Sequence, residues 1–273
     1  MRTVVRLSNT IASVTVALVP VLMLAAAARP SAQFEKTVST TFDGWNKLPD
    51  GSYELVFGYM NRNSTEIEVP LGAANQVEPA PADHGQPTSF LPGRQRAAFR
   101  VPVPADFKGK YVWTLNYGGV TQVATASIDQ NYSLDVGDPE PPGVKGGPDV
   151  SVAVSGAARL TPTVTAPPPE PVPANADVVP RRSRGGRITV WWSKFRGPGT
   201  VTFGDGTAPE GTPPGPTGRE VPLGTFRVTC ANPPEAACGA TSAHFSAPGT
   251  YWLRVVAAER SASNSLVKVV VTK

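Results

Sequence analysis

The sequence contains few of the side chains that enzymes use for proton transfer or nucleophilic attack. Among 273 residues there are two histidines, two cysteines and 17% charged residues. His84 and His244 are therefore the only side chains whose ordinary pKa suits a base at neutral pH. Neither a Gly-x-Ser-x-Gly nucleophile motif nor a phosphate-binding glycine loop occurs. These absences predict that the protein is not an enzyme, holds no small-molecule cofactor and does not act on nucleotides.

The sequence also lacks the apolar spacing of amphipathic helices. It holds 30 prolines and 26 glycines, which interrupt long helices, while 40% hydrophobic residues suffice for a core. Short runs such as Ser52 to Asn61 and Tyr111 to Tyr117 alternate apolar and polar residues, and Gly118-Gly119 favours a tight hairpin after the second run. The pattern predicts an all-β protein built from antiparallel sandwiches.

Composition changes along the chain predict two β-sandwich domains. The first covers residues 33–137, a proline- and glycine-rich connector covers 138–148, and the second covers 149–273. Within the second domain, residues 167–186 are expected to form a proline-rich loop, because so few apolar side chains cannot offset the entropy of ordering. A long polar loop between Val69 and Ala97 is expected to be functional or mobile, with Phe90 and Leu91 docked on the core.

The N-terminal 32 residues have the pattern of a secretory signal peptide. Arg2 and Arg6 precede an apolar run that ends in the small residues Ala25 to Ala28, and no acid occurs there. An uncleaved membrane anchor is the alternative, because the run is near the lower length limit of a spanning helix. In both cases the rest of the chain is exported, to the periplasm or the extracellular space.

Removing this segment also removes most of the apparent basicity. The formal charge of the whole chain is +4, and residues 1–32 contribute three arginines without an acid. The remaining chain is almost neutral, which argues against nucleic acid as a partner. Arg181, Arg182, Arg184 and Arg187 form one local basic cluster, a candidate anion patch whose alternative is a solvated loop.

The two cysteines are predicted to form a disulfide. Cys230 and Cys238 both lie in the exported part, where the environment is oxidising. The bond would close a small local loop, unlike the long-range bridge between the sheets of antibody domains. A metal site there would need more ligands than His244 supplies, so no metal is predicted.

Residues of the second domain resemble secreted immunoglobulin-like and PKD-type domains of bacteria. Trp191 and Trp192 lie within a candidate third strand, where such domains place a core tryptophan. Phe203 to Thr207 (FGDGT) resembles the "FGDG" turn of PKD domains, and Pro248 to Tyr251 resembles their "PGTY" turn. The resemblance implies an immunoglobulin-like sandwich. The proline-rich insertion and the local cysteine pair depart from the pattern and leave the strand order open.

Two further groups of side chains are candidates for ligand binding. Trp45, Trp113 and Tyr117 would form a stacking platform for sugars if they faced solvent, although burial in the core is favoured. Asp135, Asp138 and Glu140 cluster at the domain junction and form a weak calcium candidate, since Ca²⁺ prefers oxygen ligands.

The sequence therefore favours an exported structural, adhesive or protein-interaction module of the cell envelope. Its partner would be a protein or a polysaccharide of the envelope or extracellular space. One alternative is a carbohydrate-binding accessory protein that uses exposed aromatic side chains. The other is a hydrolase assembled from loops, which would require His84 to approach an acid in a cleft.

Overall fold

Strands make up nearly all of the regular structure. The computed structural model describes residues 37–134, 140–167, 187–204, 225–231, 234 and 238–273, and in this part the only helix is a 3₁₀ turn at Gln130–Tyr132. The strands are β1 (Val38–Lys47), β2 (Tyr53–Asn61), β3 (Ile67–Glu68), β4 (Asn75–Glu78), β5 (Ser89–Phe90), β6 (Gly93–Val103), β7 (Tyr111–Tyr117), β8 (Val120–Ala126), β9 (Gly143–Lys145), β10 (Val150–Ala153), β11 (Ala158–Leu160), β12 (Thr163–Thr165), β13 (Ile188–Arg196), β14 (Val201–Phe203), β15 (Phe226–Cys230), β16 (Thr241–Phe245), β17 (Gly249–Ala258) and β18 (Ala262–Thr272).

Residues 37–134, the N-terminal half, form two antiparallel three-stranded sheets and one short pair. The sheets have the orders β1-β2-β6 and β4-β7-β8, and β3 pairs with β5. The turn Pro49-Asp50-Gly51 joins β1 to β2, with Gly51 at φ 87°. Gly118 and Gly119, both with positive φ, join β7 to β8 in the hairpin that the sequence predicted.

The first core consists of side chains that alternate toward the interior of this half. Leu55, Phe57 and Tyr59 of β2 are buried, and Phe57 stacks on Phe99 with ring centroids 4.9 Å apart. The ring of Trp113 is nearly perpendicular to both of these rings, and Trp113 is completely buried. Large aromatic surfaces contribute most when removed from water, so this cluster fixes how the sheets pack.

Residues 140–273, the C-terminal half, form a five-stranded sheet, a three-stranded sheet and a small pair. The orders are β10-β18-β17-β13-β15, β11-β16-β14 and β12-β9. Strands β13, β17 and β18 lie side by side, as strands C, F and G do in immunoglobulin-type sandwiches. β10 pairs in parallel with β18, and the other pairs are antiparallel.

The second core is filled from both sheets of the C-terminal half. Trp192, Tyr251 and Leu253 are completely buried in it, and Trp192 Nε1 donates to the Gly239 carbonyl at 2.8 Å. Tyr251 packs against Phe245 with centroids 4.7 Å apart. The core tryptophan that the sequence resemblance implied is therefore Trp192. Its neighbour Trp191 points to the opposite face of β13 and is half-buried.

The predicted fold class is confirmed: the described chain is all-β, with immunoglobulin-like antiparallel sandwiches. Three short strands were not predicted, namely β4 and β5 in the long loop after Val69, and β9 in the expected connector. Phe90 and Leu91 are buried as expected, and Phe90 lies in the first core. The signal segment 1–32 and residues 168–186 of the proline-rich loop lie outside the described residues.

Candidate functional site: the junction of the two halves

The N-terminal and C-terminal halves belong to one compact unit, Phe34–Lys273. Phe195 of β13 is buried in the first core, and Trp252 of β17 packs against it. The Thr88 N–H of the long loop donates to the Phe195 carbonyl at 3.1 Å. We call the residues through which the halves make contact the junction.

Apolar side chains that face away from their own core are also buried. Val56 lies between Leu55 and Phe57, which point into the first core, yet it is only 1% exposed. Val256 is placed in the same way between Val255 and Ala257 of the second core and is 3% exposed. Because successive strand residues face opposite sides, the outer faces of β2 and β17 are covered rather than solvated.

One lysine at the junction contacts two carboxylates. Lys194 of β13 has a side chain only 7% exposed, and its Nζ forms ion pairs with Glu66, at 3.4 Å, and with Glu68. The same ammonium donates to the Gly199 carbonyl at 3.0 Å. The Glu68 side chain is 46% exposed, and its partial burial raises its pKa to about 7, with Lys194 opposing the rise and Glu66 adding to it. This cluster joins the segment around β3 to β13.

A bidentate pair lies next to this cluster. The Arg196 guanidinium donates to both carboxylate oxygens of Asp83, at 2.8 and 3.0 Å, and its Nε donates to the Gln86 carbonyl at 2.7 Å. These hydrogen bonds hold the pKa of Asp83 below its usual value. Two parallel hydrogen bonds between a planar guanidinium and a carboxylate fix the orientation of the two groups, in addition to their electrostatic attraction. They therefore anchor the tip of the long loop to β13.

A second arginine enters the junction without a carboxylate partner among the described contacts. Arg254 of β17 donates to the carbonyls of Ala97, at 3.0 Å, and Arg96, at 3.4 Å. It is 7% exposed, and burial lowers its pKa to about 10. Asn264 of β18 donates to the same Ala97 carbonyl at 3.3 Å. Burial also raises the pKa of Tyr59, whose hydroxyl accepts from the Leu91 N–H at 2.9 Å.

The Ala97 carbonyl, which accepts a hydrogen bond from Arg254, lies in a β-bulge. Ala97 has φ 47°, in the left-handed region, where the pairing of β2 and β6 shifts register. The Asp43 carboxylate accepts from the Ala97 N–H at 2.8 Å and pairs with Arg94. Gly58 lies opposite, where an added Cβ would overlap Asp43 Oδ2 and the Gln95 carbonyl. The bulge therefore turns one backbone carbonyl out toward the other half.

The three residues of the candidate aromatic platform do not form an exposed plane. Trp113 is completely buried and donates its indole N–H to Asn75 Oδ1 at 3.0 Å, so it cannot stack on a ligand. Trp45 is 9% exposed and donates to the Asp129 carbonyl, and Tyr117 is half-buried against the first core. The inward alternation of β7 buries Trp113 and Leu115, as the sequence analysis favoured for Trp113.

The other candidate binding groups fall largely outside the described residues. Arg181, Arg182 and Arg184 lie there, and Arg187 is exposed just before β13, so the anion patch stays a prediction. Asp135 and Asp138 also lie there, and Glu140 is exposed. Within the described residues, no three histidine, cysteine, aspartate or glutamate side chains gather closely enough to hold a metal ion. The FGDG resemblance is described only for Phe203 and Gly204.

The predicted disulfide is confirmed. Cys230 ends β15 and Cys238 precedes β16, and their Cα atoms lie 6.0 Å apart. These two strands belong to different sheets, so the short loop crosses from one sheet to the other. Cys230 is buried, and the residue after Cys238 is Gly239, whose carbonyl accepts from Trp192. The disulfide therefore lies against the second core.

The two histidines lie in different halves of the structure. His84 Nε2 donates to the Pro79 carbonyl at 2.8 Å, and its ring meets the edge of Tyr111. His244 is exposed on β16. No helix in the described part of the chain is long and apolar enough to cross a membrane.

Sequence reasoning missed the junction itself. Lys194 and Arg254 each stand inside an otherwise apolar strand, in the runs RITVWWSKF and TYWLRVVAA. A charged residue amid core residues marks a buried ion pair or a covered outer face, because an isolated buried charge is costly. The sequence therefore contained a signal for the junction. It did not identify the partners of Lys194 and Arg254, because Glu68 and Ala97 lie far away along the chain.

Comparisons with known proteins identify no family. No protein-family model and no curated protein matches the chain. It is similar to the tandem Ig repeats of Dlar, with 11% identity, 86% of this chain and 97% of that chain covered, and a TM-score of 0.25. It is also similar to IG1+IG2 of DIP-gamma, with 14% identity, coverage of 86% and 98%, and a TM-score of 0.23. TM-scores this low do not support a conclusion. The assignment of the fold rests on the strand order of this chain.

Proposed function

We propose that this chain is an exported, non-catalytic interaction module of the cell envelope, in which two immunoglobulin-like domains, 33–137 and 149–273, act as one body. The observation that carries the proposal is the junction. Its charged side chains, Lys194, Arg196 and Arg254, are all bound to groups of the other half. A unit held in this way offers a protein partner one continuous surface across both halves.

Export is the second part of the proposal. The Cys230–Cys238 disulfide supports it, because such bonds persist in oxidising compartments. The N-terminal pattern of residues 1–32 and the PKD-type resemblance favour secretion from a bacterium. Mass spectrometry of the N-terminus in fractionated producing cells tests this part. A mature chain that lacks residues 1–32, with both cysteines unreactive to maleimide, is expected. A full-length chain in the membrane fraction would indicate the anchor instead.

Binding to isolated envelopes tests the interaction itself. Purified mature protein should sediment with envelopes of the producing cells, and prior treatment of the envelopes with protease should abolish this binding. Prior digestion of envelope polysaccharides should leave it unchanged. The opposite pattern would favour the carbohydrate-binding alternative, and failure to bind either preparation would contradict the proposal. Any hydrolysis of envelope material that His84→Ala abolishes would favour the hydrolase alternative.

A further inference from the structure

The five-stranded sheet of the C-terminal half ends at β15. This strand pairs with β13 on one side, and on its other side no strand follows among the described residues. A terminal strand presents a row of backbone N–H and C=O groups along its free edge. Such an edge can accept an extended segment of another chain, which then becomes a further strand of the sheet.

A row of three side chains leads from the junction to this edge. Val256 of β17, Trp191 of β13 and Arg227 of β15 are neighbours in the register of the three strands, and they lie on the face turned away from the second core. Val256 is 3% exposed, whereas Trp191 and Arg227 are half-buried. The row is therefore covered at β17 and becomes accessible to solvent toward β15.

Arg227 carries a positive charge at the outer end of this row. Its guanidinium lies over the Trp191 ring, with Cζ 5.2 Å from the ring centroid. Its Nε is buried and forms no hydrogen bond, and the described contacts of the side chain include no carboxylate. Burial lowers the pKa of Arg227 from its usual value, because partial desolvation disfavours the charged form. An arginine remains protonated in spite of this, so the charge is present without a counter-ion.

Other arginines of the described chain are bound to acceptors. Arg94, Arg100 and Arg196 each form an ion pair with an acid of the N-terminal half. Arg254, whose Nε is also unpaired, donates through Nη2 to two carbonyls. Buried donors in folded proteins are generally paired, so the exception at Arg227 indicates an acceptor that a ligand brings.

We propose that β15 is a docking edge for an extended segment of a partner protein, which adds to the sheet as a strand and places an acidic side chain against Arg227. This inference rests on the proposed function, since it takes the partner to be a protein, and it adds the chemistry by which the partner is recognised. Backbone hydrogen bonds along β15 provide affinity, and the carboxylate contact with the guanidinium fixes the register of the added strand.

The side chains of β15 also define which segment fits. Phe226 and Val228 pack against the second core, so they are not available to a partner. Arg227 and the exposed Thr229 point to the other face. An added strand sets its own alternate side chains beside these two, and cross-strand pairs of opposite charge or of β-branched residues are favourable. The expected segment has one acid between uncharged β-branched residues and contains no proline.

Peptide selection tests the proposal with a probe of defined composition. A phage-displayed library of random nonapeptides is selected on the purified mature protein with its disulfide oxidised. Enriched peptides should share one aspartate or glutamate in the pattern described above. Fluorescence anisotropy then gives the Kd of the most enriched peptide and of a copy in which lysine replaces the acid. The lysine copy should bind about tenfold more weakly.

Variants of Arg227 assign the effect to this side chain. Arg227→Gln should weaken binding of the acidic peptide about tenfold, and Arg227→Glu should reverse the preference between the two copies. Arg159→Gln is the matched control, because Arg159 is an exposed arginine on β11, a terminal strand of the other sheet in the same half. This control should bind both copies as the wild type does. Far-ultraviolet circular dichroism checks that each variant retains its strands.

Hydrogen exchange locates the bound peptide. Amides of β15 should exchange more slowly when the acidic peptide is bound, because the added strand accepts their hydrogen bonds. Amides of β10 form the internal control, since β10 is the terminal strand at the opposite edge of the same sheet. Their exchange rates should not change.

Three results would overturn the docking edge: selection that enriches no acidic peptide, equal binding of the acidic peptide to the wild type and to Arg227→Gln, and peptide binding without slower exchange in β15. These failures differ from a failure of the proposed function. Protein-dependent sedimentation with envelopes together with any of the three results would retain the interaction module and remove the docking edge. Peptide binding at β15 without envelope binding would retain the docking edge and remove the envelope function.

Discussion

At the scale of single residues, buried polar groups in this protein are matched to specific partners. Asn75 is completely buried and uses its side-chain amide to bind the carbonyls of Val69 and Pro87 and the indole N–H of Trp113. The Asp43 carboxylate likewise accepts a hydrogen bond from the Ala97 N–H in the bulge. Removing one member of such a set leaves its partners buried without a hydrogen bond, which costs more than the bond itself contributes.

Asp43→Ala should lower the free energy of unfolding by about 3 kcal/mol, because the Ala97 N–H and the Arg94 guanidinium would lose a buried acceptor. Urea denaturation followed by circular dichroism measures this. Asp106→Ala, at an exposed acid in the same half, is the matched control and should change stability by less than about 0.5 kcal/mol. Equal effects in the two variants would contradict the structural role of Asp43.

The sequence predicted individual residues well where burial depends on local pattern. Phe90 and Leu91 are buried as expected, and Trp192 is the core tryptophan that the resemblance implied. Lys194 and Glu68 were not anticipated as partners, because contact between residues so far apart depends on how the two halves pack. For the same reason the sequence could not exclude an exposed Trp113, whose face is decided by the register of β7.

At the scale of elements, alternation predicted β2 and β7, and the predicted ends differ from the observed ones by at most one residue. The strands β4, β5 and β9 have two to four residues each and no such alternation. They exist because neighbouring strands supply hydrogen-bond partners, as β7 does for β4 and β12 does for β9. A pattern search along the chain cannot detect such partners.

The disulfide stabilises the crossing from β15 to β16. Replacing both Cys230 and Cys238 with alanine should lower the free energy of unfolding by about 2.5 kcal/mol, from the closure entropy of a short loop. Guanidinium denaturation of the oxidised protein and of the variant measures the difference. Wild-type protein kept reduced should match the variant. A variant as stable as the oxidised wild type would contradict this role.

Gly58 of β2 lies between the bulged strands β1 and β6. The packing of these strands leaves no space for a side chain at Gly58. Gly58→Ala should cost about 1 to 3 kcal/mol of stability, because the new methyl group would overlap Asp43 and the Gln95 carbonyl. Thermal unfolding measures the loss. At Gly51 nothing lies within 4 Å of an added Cβ, so any loss in Gly51→Ala comes from its φ of 87°, a strain that Gly58 does not have. A loss below about 0.5 kcal/mol for Gly58→Ala would contradict the close packing around Gly58.

At the scale of the whole molecule, the junction makes one unit of two cores. The outer faces that a separate pair of domains would expose are covered at Val56 and Val256, and three cationic side chains cross between the halves. An isolated ion pair on the surface contributes little to the free energy of unfolding. A charged side chain as buried as that of Lys194, in contrast, strongly destabilises the fold once its partner is removed.

Breaking the ionic contacts should therefore uncouple the halves. In the double variant Lys194→Ala, Arg196→Ala, calorimetry should resolve two unfolding transitions in place of one, because each core would unfold at its own temperature. Arg159→Ala together with Lys268→Ala removes two charges elsewhere in the C-terminal half and serves as the control. That control should retain a single transition. Two transitions in the control as well would assign the effect to general loss of charge.

The central claim is that both cores unfold as one body, and native-state hydrogen exchange in increasing denaturant tests it most directly. The amides of Val77 in the first core and Val255 in the second should lose protection with the same free energy and the same denaturant dependence in the wild-type protein. Loss of protection at Val77 while Val255 stays fully protected, or the reverse, would show independent domains and contradict the account.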